Sequence, residues 1–108
     1  MTACFAYVTA SSREEAARIG RTMVEERLAA CANVIDGMTS IYRWQGKIEE
    51  GHEAVLILKT ELALIDALTA RVKALHSYTV PCVVAWPIAA GNADFLRWIG
   101  AETVGARA

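Results

Sequence analysis

The residues of this chain with the greatest capacity for metal or nucleophilic chemistry are its cysteines, Cys4, Cys31 and Cys82, and its histidines, His52 and His76. Thiolate and imidazole together suit copper or zinc better than they suit hard cations. His76 and Cys82 lie six residues apart, at a predicted helix end and in a predicted strand, and this is not the spacing of a recognised metal motif. The pair therefore has two interpretations, a copper or zinc site and a hydrogen-bonded cleft histidine beside an unrelated thiol.

The cysteines are odd in number, far apart in the sequence and without a CxxC pair. In a reducing compartment such thiols are most simply explained as small buried hydrophobic residues, and we expect this of Cys4 and Cys31. Cys31 is also retained as a third candidate metal ligand beside His76 and Cys82. His52 follows a glycine in a predicted hairpin return, so we expect it to be solvated. We predict no required cofactor, and copper or another divalent cation is the candidate ligand.

A second group of candidate residues lies on and near a predicted hairpin. Tyr42 and Trp44 either anchor a neighbouring subunit, where aromatic side chains are enriched, or form the wall of a ligand cleft. Glu53 and Lys59 flank the most apolar strand of the chain. We expect them either to form an ion pair with each other or to present one acceptor and one donor to a small molecule.

Catalytic patterns are sparse in this sequence. It contains neither a glycine-rich phosphate loop with a lysine nor a GxSxG elbow, and the spacing of cysteine and histidine does not indicate an activated thiolate. We therefore predict a binding protein and not an enzyme. The alternative, a small-molecule hydrolase of the acylphosphatase type, requires an anion-binding loop between the first strand and the first helix, where residues 9–13 offer only Arg13 as a basic side chain.

Composition limits the remaining classes of function. The 108 residues correspond to one domain, and the formal net charge of −1 is not typical of a nucleic-acid-binding surface. No run of 18 apolar residues is present, so we expect no membrane partner. The first residues lack the basic segment of a secretory signal, and we expect a cytoplasmic location.

Hydrophobic periodicity divides the chain into strands and helices. Apolar and β-branched runs predict strands, and apolar residues at steps of three and four predict helices. In chain order, the first predicted elements are a strand at 3–9, a helix from Ser12 to about Ala29 and a strand at 31–43. A return at 48–52 leads into a strand at 53–60. The last elements are a helix from Thr60 to near His76, a strand at 80–88 and a short helix that begins at Asn92.

Individual residues mark the ends and turns of these elements. Ser12-x-x-Glu15 has the spacing of a helix capping box, and Thr60 is predicted to cap the second helix. Gly20 on the apolar face of the first helix costs helix stability, so we expect close approach to a strand there. Asp36-Gly37 indicates a bulge, residues 44–47 a hairpin tip, and residues 103–108 a flexible tail of the single 1–108 domain.

The element order is β-α-β-β-α-β followed by a short helix. This order predicts an α+β, ferredoxin-like fold with an antiparallel sheet, both long helices on one of its faces and an unusually long central hairpin. Two helices cover one face only, yet residues 54–58 are apolar without interruption. If the second face stayed in water, either Val55 and Ile57 or Leu56 and Leu58 would form an exposed patch, and such patches mark interfaces. We predict self-association into a homo-oligomer.

Five separated segments carry a more specific signal. They are Leu28-Ala29-Ala30-Cys31-Ala32-Asn33, the run from Ser40 to Ile48, Glu53 together with Leu58-Lys59-Thr60, His76-x-Tyr78-x-Val80-Pro81, and the run from Gly91 to Ile99. Together they resemble the signature of the CutA1 (divalent-cation tolerance) family, and the match covers nearly the whole chain in order.

The resemblance implies a ferredoxin-like protomer, a homotrimer packed sheet to sheet, and a cleft between subunits. It places five residues at that cleft: Tyr42, Trp44, Glu53, Lys59 and Tyr78. It also implies a link to divalent-metal tolerance, copper especially, without an agreed biochemical activity.

Two segments depart from the family pattern. Relatives usually read His-Pro-Tyr-Glu-x-Pro-Glu where this chain has His76-Ser77-Tyr78-Thr79-Val80-Pro81-Cys82, so a proline and two acidic residues are replaced. Val8 stands where some relatives carry a cysteine, which removes one candidate soft ligand.

Three functions follow as hypotheses. The first is a trimeric CutA1-type protein of the copper or divalent-metal response that binds and does not catalyse. The second is a regulatory trimer of PII-like architecture that senses a small metabolite or anion between its subunits. The third is a stable oligomeric scaffold for a protein partner.

Overall fold

The chain alternates strands and helices in the order predicted from its sequence. The computed structural model describes residues 1–104. Its elements are β1 (Ala3–Ala10), α1 (Arg13–Glu25), β2 (Cys31–Trp44), β3 (Lys47–Glu61), a 3-10 turn (Leu62–Leu64), α2 (Ile65–Leu75), β4 (Val83–Pro87) and α3 (Ala93–Ala101). The strands form one sheet in the order β2-β3-β1-β4, in which every neighbouring pair is antiparallel. The α+β prediction is confirmed. No helix within the described residues has the length and hydropathy of a membrane span.

One face of the sheet forms the main core with α1 and α2. Ala6 and Val8 of β1 pair with Leu58 and Leu56 of β3, and all four side chains are fully buried. Alternation along a strand turns these residues to the same face. The two helices cover them with four large apolar side chains that are also fully buried: Ile19, Met23, Leu68 and Val72. Each side chain of this size contributes about 1.5–3 kcal/mol when it is removed from water.

Gly20 lies where α1 passes closest to the sheet. A Cβ atom at this position would be 2.9 Å from Leu56 Cδ1 and 3.0 Å from Ala32 Cβ. Any larger residue would push the helix away from β2 and β3, because neighbouring atoms already fill the space. The predicted close approach is confirmed.

The opposite face of the sheet carries the other set of alternating residues. Phe5 and Tyr7 of β1 pair there with Trp86 and Val84 of β4, and the Phe5 and Trp86 rings meet edge to face at 6.1 Å. Val84 and Trp86 remain 51% and 45% exposed. Within residues 1–104, α3 covers only one end of this face, beside Ala3, through the fully buried Ile99. Val55 and Ile57 of β3 lie on this face, but Val55 is only 7% exposed and Ile57 is half-buried, so the predicted exposed patch on β3 is wrong. The exposed side chains of Val84 and Trp86 belong to β4.

The predicted long hairpin is present, and it extends beyond the rest of the sheet. A register shift between Ile35 and Met38 marks the predicted bulge, where Gly37 has a φ of 83°. At the tip, Gln45 and Gly46 have φ values of 49° and 80°, as a tight two-residue hairpin turn requires. Beyond the bulge, residues 38–53 form a two-stranded ribbon, called the hairpin arm below. Two of its large apolar side chains, Ile41 and Ile48, are both 68% exposed.

Three predicted boundaries are wrong. Thr60 does not cap a helix: it pairs with Cys4 inside β3, and its hydroxyl donates to the Leu28 carbonyl at 2.6 Å. The helix α2 begins after the 3-10 turn, with Leu64 at a cap position that lacks a side-chain hydrogen bond. The helix α1 ends at Glu25 and not near Ala29, and β4 begins at Val83 and not at Val80.

The predicted flexible tail is wrong for its first two residues. Thr103 is fully buried, and its hydroxyl is hydrogen-bonded to the Glu61 carboxylate and to the Ile99 carbonyl. The Val104 N–H donates to the Arg27 carbonyl at 3.0 Å. The remainder of the predicted tail, 105–108, lies outside the described residues.

Arg27, in the loop after α1, contacts the C-terminal end of α3. Its backbone has a φ of 62°, and its guanidinium donates to the carbonyl of Ala101 at 3.0 Å and to that of Glu102 at 3.2 Å. These carbonyls belong to the last turn of the helix, which lacks intrahelical donors and carries partial negative charge. Arg27 therefore caps α3 from the loop after α1.

Replacement of Arg27 by alanine should lower the free energy of unfolding by about 1–2 kcal/mol, because two charged hydrogen bonds to a helix end are lost. Urea-induced unfolding followed by circular dichroism measures the change. The matched control is Arg21→Ala on the exposed face of α1, which we expect to change stability by less than about 0.5 kcal/mol. Equal losses in the two variants would contradict the capping role.

Candidate functional site

A cleft of about 640 Å³ opens between the hairpin arm and the segment that connects α2 to β4. Five of the candidate residues line it together: Tyr42, Trp44, Glu53, Tyr78 and Cys82. They come from three separate parts of the sequence. The cleft volume falls in the range of small-molecule binding sites.

Strand alternation places the residues of the arm in this cleft. Ser40, Tyr42 and Trp44 are two residues apart on β2, so their side chains point to the same face of the ribbon. Glu53 shares that face, because it pairs with Met38 across the ladder. Gly51 pairs with Ser40, and a Cβ atom there would meet nothing within 4 Å. The ribbon therefore offers aromatic side chains and one carboxylate around an open centre.

Tyr78 reaches the arm from the opposite wall. Its hydroxyl donates to Glu53 Oε2 at 2.8 Å. Burial, with the hydrogen bond and negative charge of Glu53, raises the pKa of the Tyr78 hydroxyl far above its ordinary value. Burial and the charge of Glu53 also raise the pKa of the Cys82 thiol. Both groups therefore remain protonated at neutral pH, and Cys82 lacks the depressed pKa of a nucleophilic cysteine.

His76 lies beneath the cleft and its side chain is fully buried. The Tyr78 N–H donates to His76 Nδ1 at 3.0 Å, so the ring proton resides on Nε2 and donates to the Thr9 carbonyl at 2.7 Å. The rings of His76 and Tyr78 also pack at 4.6 Å. Both nitrogens are thus used within the chain, as in the hydrogen-bonded interpretation of this histidine. Its contacts orient Tyr78 toward Glu53.

Glu15 supports the same segment from α1. Its carboxylate accepts from the Ser11 N–H at 2.9 Å, the Ser11 hydroxyl at 2.8 Å and the Ser77 N–H at 2.8 Å, and it lies 3.9 Å from His76 Nδ1. Burial alone would raise the pKa of Glu15, but the hydrogen bonds from Ser11 and Ser77 outweigh it and lower the pKa from 4.5 to about 2.

The sequence indicated Glu15 only as part of a capping box. One hydrogen bond of the capping box is confirmed, since the Glu15 N–H donates to the Ser12 hydroxyl at 3.1 Å. The second one differs, because the Glu15 carboxylate accepts from Ser11 and Ser77 and not from the Ser12 N–H. The contact with Ser77 spans 62 residues, and no local pattern signals it. Proline has no N–H, so a serine at this position is what makes the contact available.

Lys59 and Cys31 do not join the cleft. Lys59 lies six residues along β3 from Glu53, about 20 Å away at the rise of a strand, and its ammonium is 5.5 Å from the centre of the Phe95 ring. The expected ion pair between Glu53 and Lys59 is therefore wrong within this chain. Cys31 is half-buried in a separate groove of about 460 Å³, beside Trp98. The expectation of burial holds for Cys4 and not fully for Cys31.

The three predicted metal ligands, His76, Cys82 and Cys31, are thus not brought together. Cys82 lines the cleft, His76 is buried beneath it, and Cys31 lies in the other groove. Residues 1–104 contain no cluster of three or more histidine, cysteine, aspartate or glutamate side chains arranged to hold a metal ion. His52 is exposed, as expected.

The loop between β1 and α1 is where a hydrolase would need to bind an anion, and the polar groups of this loop are hydrogen-bonded within the chain. Ser11 and Ser12 bond to Glu15, and the Thr9 carbonyl accepts from His76. Glu15 places a buried carboxylate of low pKa next to this loop. A bound phosphate would be repelled by that charge.

Comparison with known proteins gives a consistent result. A family model described as CutA1 divalent ion tolerance protein matches residues 4–102. A Thermus thermophilus relative named divalent-cation tolerance protein CutA is 51% identical over 96 residues, which cover 89% of this chain and 93% of the relative. A human relative named protein CutA is 46% identical over 94 residues, 87% of this chain. The match takes in only 52% of the human protein, so this chain spans about half of its length.

Solved structures show the same architecture. The crystal structure of CutA1 from Oryza sativa superposes with a TM-score of 0.92 at 42% identity, and the match covers 95% of this chain and 94% of that one. The structure of the divalent cation tolerance protein from Thermus thermophilus superposes with a TM-score of 0.91 at 48% identity, covering 94% and 98% of the two chains.

The low pKa of Glu15 predicts how stability depends on pH. Because the folded pKa of about 2 lies below the ordinary 4.5, the carboxylate stabilises the fold by about 3 kcal/mol above pH 4.5, and this contribution is lost as pH falls toward 2. Glu15→Gln should therefore lower the free energy of unfolding by about 2–3 kcal/mol at pH 7 and leave wild type and variant nearly equal near pH 2.

Urea unfolding at several pH values between 2 and 7 measures this difference. Glu14→Gln, an exposed carboxylate in the same helical turn, is the matched control and should show no such convergence. A wild-type advantage over Glu15→Gln that stays constant down to pH 2 would contradict the account.

Proposed function

This chain belongs to the CutA1 divalent ion tolerance family, and we propose that it serves tolerance of divalent metals, copper above all, as a homotrimer that binds a ligand and does not catalyse a reaction. The observation that carries the binding role is the cleft of about 640 Å³, whose thiol and tyrosine hydroxyl both have raised pKa values. A site of this kind offers hydrogen bonds and aromatic contacts, and it lacks an activated nucleophile.

Two features support the trimer. The sheet face that carries Val84 and Trp86 is apolar and largely open, and copies of the chain could cover it sheet to sheet. The hairpin arm exposes Ile41 and Ile48, and a neighbouring subunit would give these side chains an apolar surface to pack against. In this arrangement the cleft beside the arm lies at the boundary between subunits.

The metal donors that one chain supplies to the cleft are few. Cys82 and Glu53 both line it, and a closed tetrahedral zinc or copper site requires four donors. One described chain therefore supplies half of such a set, and water or a second subunit would complete it. Thiolate binding to a metal releases a proton, so the raised pKa of Cys82 makes binding weaker at neutral pH and stronger as pH rises.

Calorimetric titration with Zn²⁺ and Cu²⁺ tests the metal role. Cys82→Ser should weaken binding at least about tenfold, the loss expected when a metal ligand is replaced by a poorer donor. Cys31→Ser, the matched change in the separate groove, should leave the affinity unchanged. If wild type binds neither metal, or if the two variants bind alike, direct metal binding in the cleft is excluded.

A second candidate function is a regulatory trimer of PII-like architecture that senses a small molecule. The size of the cleft and its mixture of aromatic and polar walls favour this candidate. A ligand that binds the folded state raises Tm. A broad screen of metabolites that leaves Tm unchanged would exclude it.

A further inference from the structure

Among the described residues, the cleft contains one charged side chain. Glu53 supplies it, and the other residues that line the cleft are neutral: three aromatic side chains, four hydroxyl side chains, two aliphatic side chains and one thiol. No lysine, arginine or histidine is among them. On the walls that this chain supplies, an anionic ligand would therefore meet only negative charge, and a neutral ligand would leave that charge without a counterion.

The Glu53 carboxylate is partly free to receive a ligand. The Tyr78 hydroxyl donates to Oε2, and no basic side chain among residues 1–104 forms an ion pair with either oxygen. The nearest candidate by sequence pattern, Lys59, is held against the Phe5 and Phe95 rings on another part of the sheet. Because Tyr78 fixes the carboxylate in place, a ligand would lose little free energy in orienting it.

The aromatic walls suit the same charge. Tyr42 and Trp44 project from one face of the arm into the cleft, and Tyr78 closes the opposite side. The faces of aromatic rings carry partial negative charge and attract ammonium and guanidinium groups within about 6 Å. A carboxylate bordered by such rings is selective for an organic cation.

We infer that the cleft binds a small organic monocation, in which an ammonium or guanidinium head pairs with Glu53 and a flat or apolar body lies against Tyr42 and Trp44. The inference rests on the second candidate function, and it names the class of ligand that such a sensor would recognise. The single carboxylate matches a single positive charge.

Three probes of equal size test the charge preference: benzylammonium, benzyl alcohol and benzoate. Titration of the full chain with each, followed by two-dimensional amide NMR of the Trp44 indole N–H and the Tyr78 N–H, gives the dissociation constants. Benzylammonium should bind at least about tenfold more tightly than benzyl alcohol, the factor for one charge-assisted hydrogen bond. Benzoate should give no saturable shift.

The variant Glu53→Gln preserves the shape of the side chain and should reduce benzylammonium affinity to that of benzyl alcohol. Its matched control is Glu50→Gln, which removes an exposed carboxylate from the same strand on the other face of the ribbon and should leave the affinity unchanged. Circular dichroism checks that both variants fold. Loss of affinity in Glu53→Gln alone supports the inference.

Equal losses in the two variants would overturn it, because they would reflect general surface charge. Benzyl alcohol or benzoate binding as tightly as benzylammonium would overturn the ligand class and leave the small-molecule function standing. Absence of saturable benzylammonium binding up to about 10 mM would also overturn the inference, because the binding free energy would then be too small for a specific site. The sensor function is tested separately, and only a metabolite screen that leaves Tm unchanged would exclude it.

Discussion

The fold depends on one constraint, which is that the central strand β3 has apolar side chains on both of its faces. Leu56 and Leu58 are buried under the two long helices, whereas Val55 and Ile57 lie on the opposite face, where Val55 is buried, Ile57 is half-buried, and Val84 and Trp86 of the sheet's edge strand β4 are exposed. With about 1.5–3 kcal/mol available for each large apolar side chain removed from water, an uncovered second face favours association. The short helix α3 covers one end of that face and leaves the rest open.

Patterns within one element predicted the fold, and contacts between distant elements caused the errors. Periodicity placed the strands and helices, and Gly20 correctly indicated a close approach to the sheet. Thr60 suits a helix cap as well as a strand, and only its pairing with β1 decides between them. The prediction of a flexible tail was wrong at Thr103 for the same reason, because the buried hydrogen-bond partner of Thr103, Glu61, is 42 residues away in the sequence.

The sequence also predicted some residues of the candidate site correctly and missed others. Alternation on β2 was enough to bring Tyr42 and Trp44 together, and family resemblance added Tyr78. The predicted ion pair between Glu53 and Lys59 was wrong, because residues six apart on one strand lie too far from each other to pair. The support from Glu15 was missed, because its partner Ser77 is 62 residues away in the sequence.

Three residues of the 76–82 segment, Ser77, Thr79 and Cys82, line the same cleft. Ser77 gives the buried Glu15 a hydrogen-bond donor. Thr79 and Cys82 are neutral, so Glu53 is the single charged side chain among the described residues that line the cleft. All of this lies beside the hairpin arm, whose Ile41 and Ile48 side chains are exposed, and the proposed trimer would cover them. Sedimentation velocity of the unmodified chain at micromolar concentration is the direct measurement. The account predicts a folded species of three times the 11.7 kDa chain mass, and a well-folded monomer would contradict it.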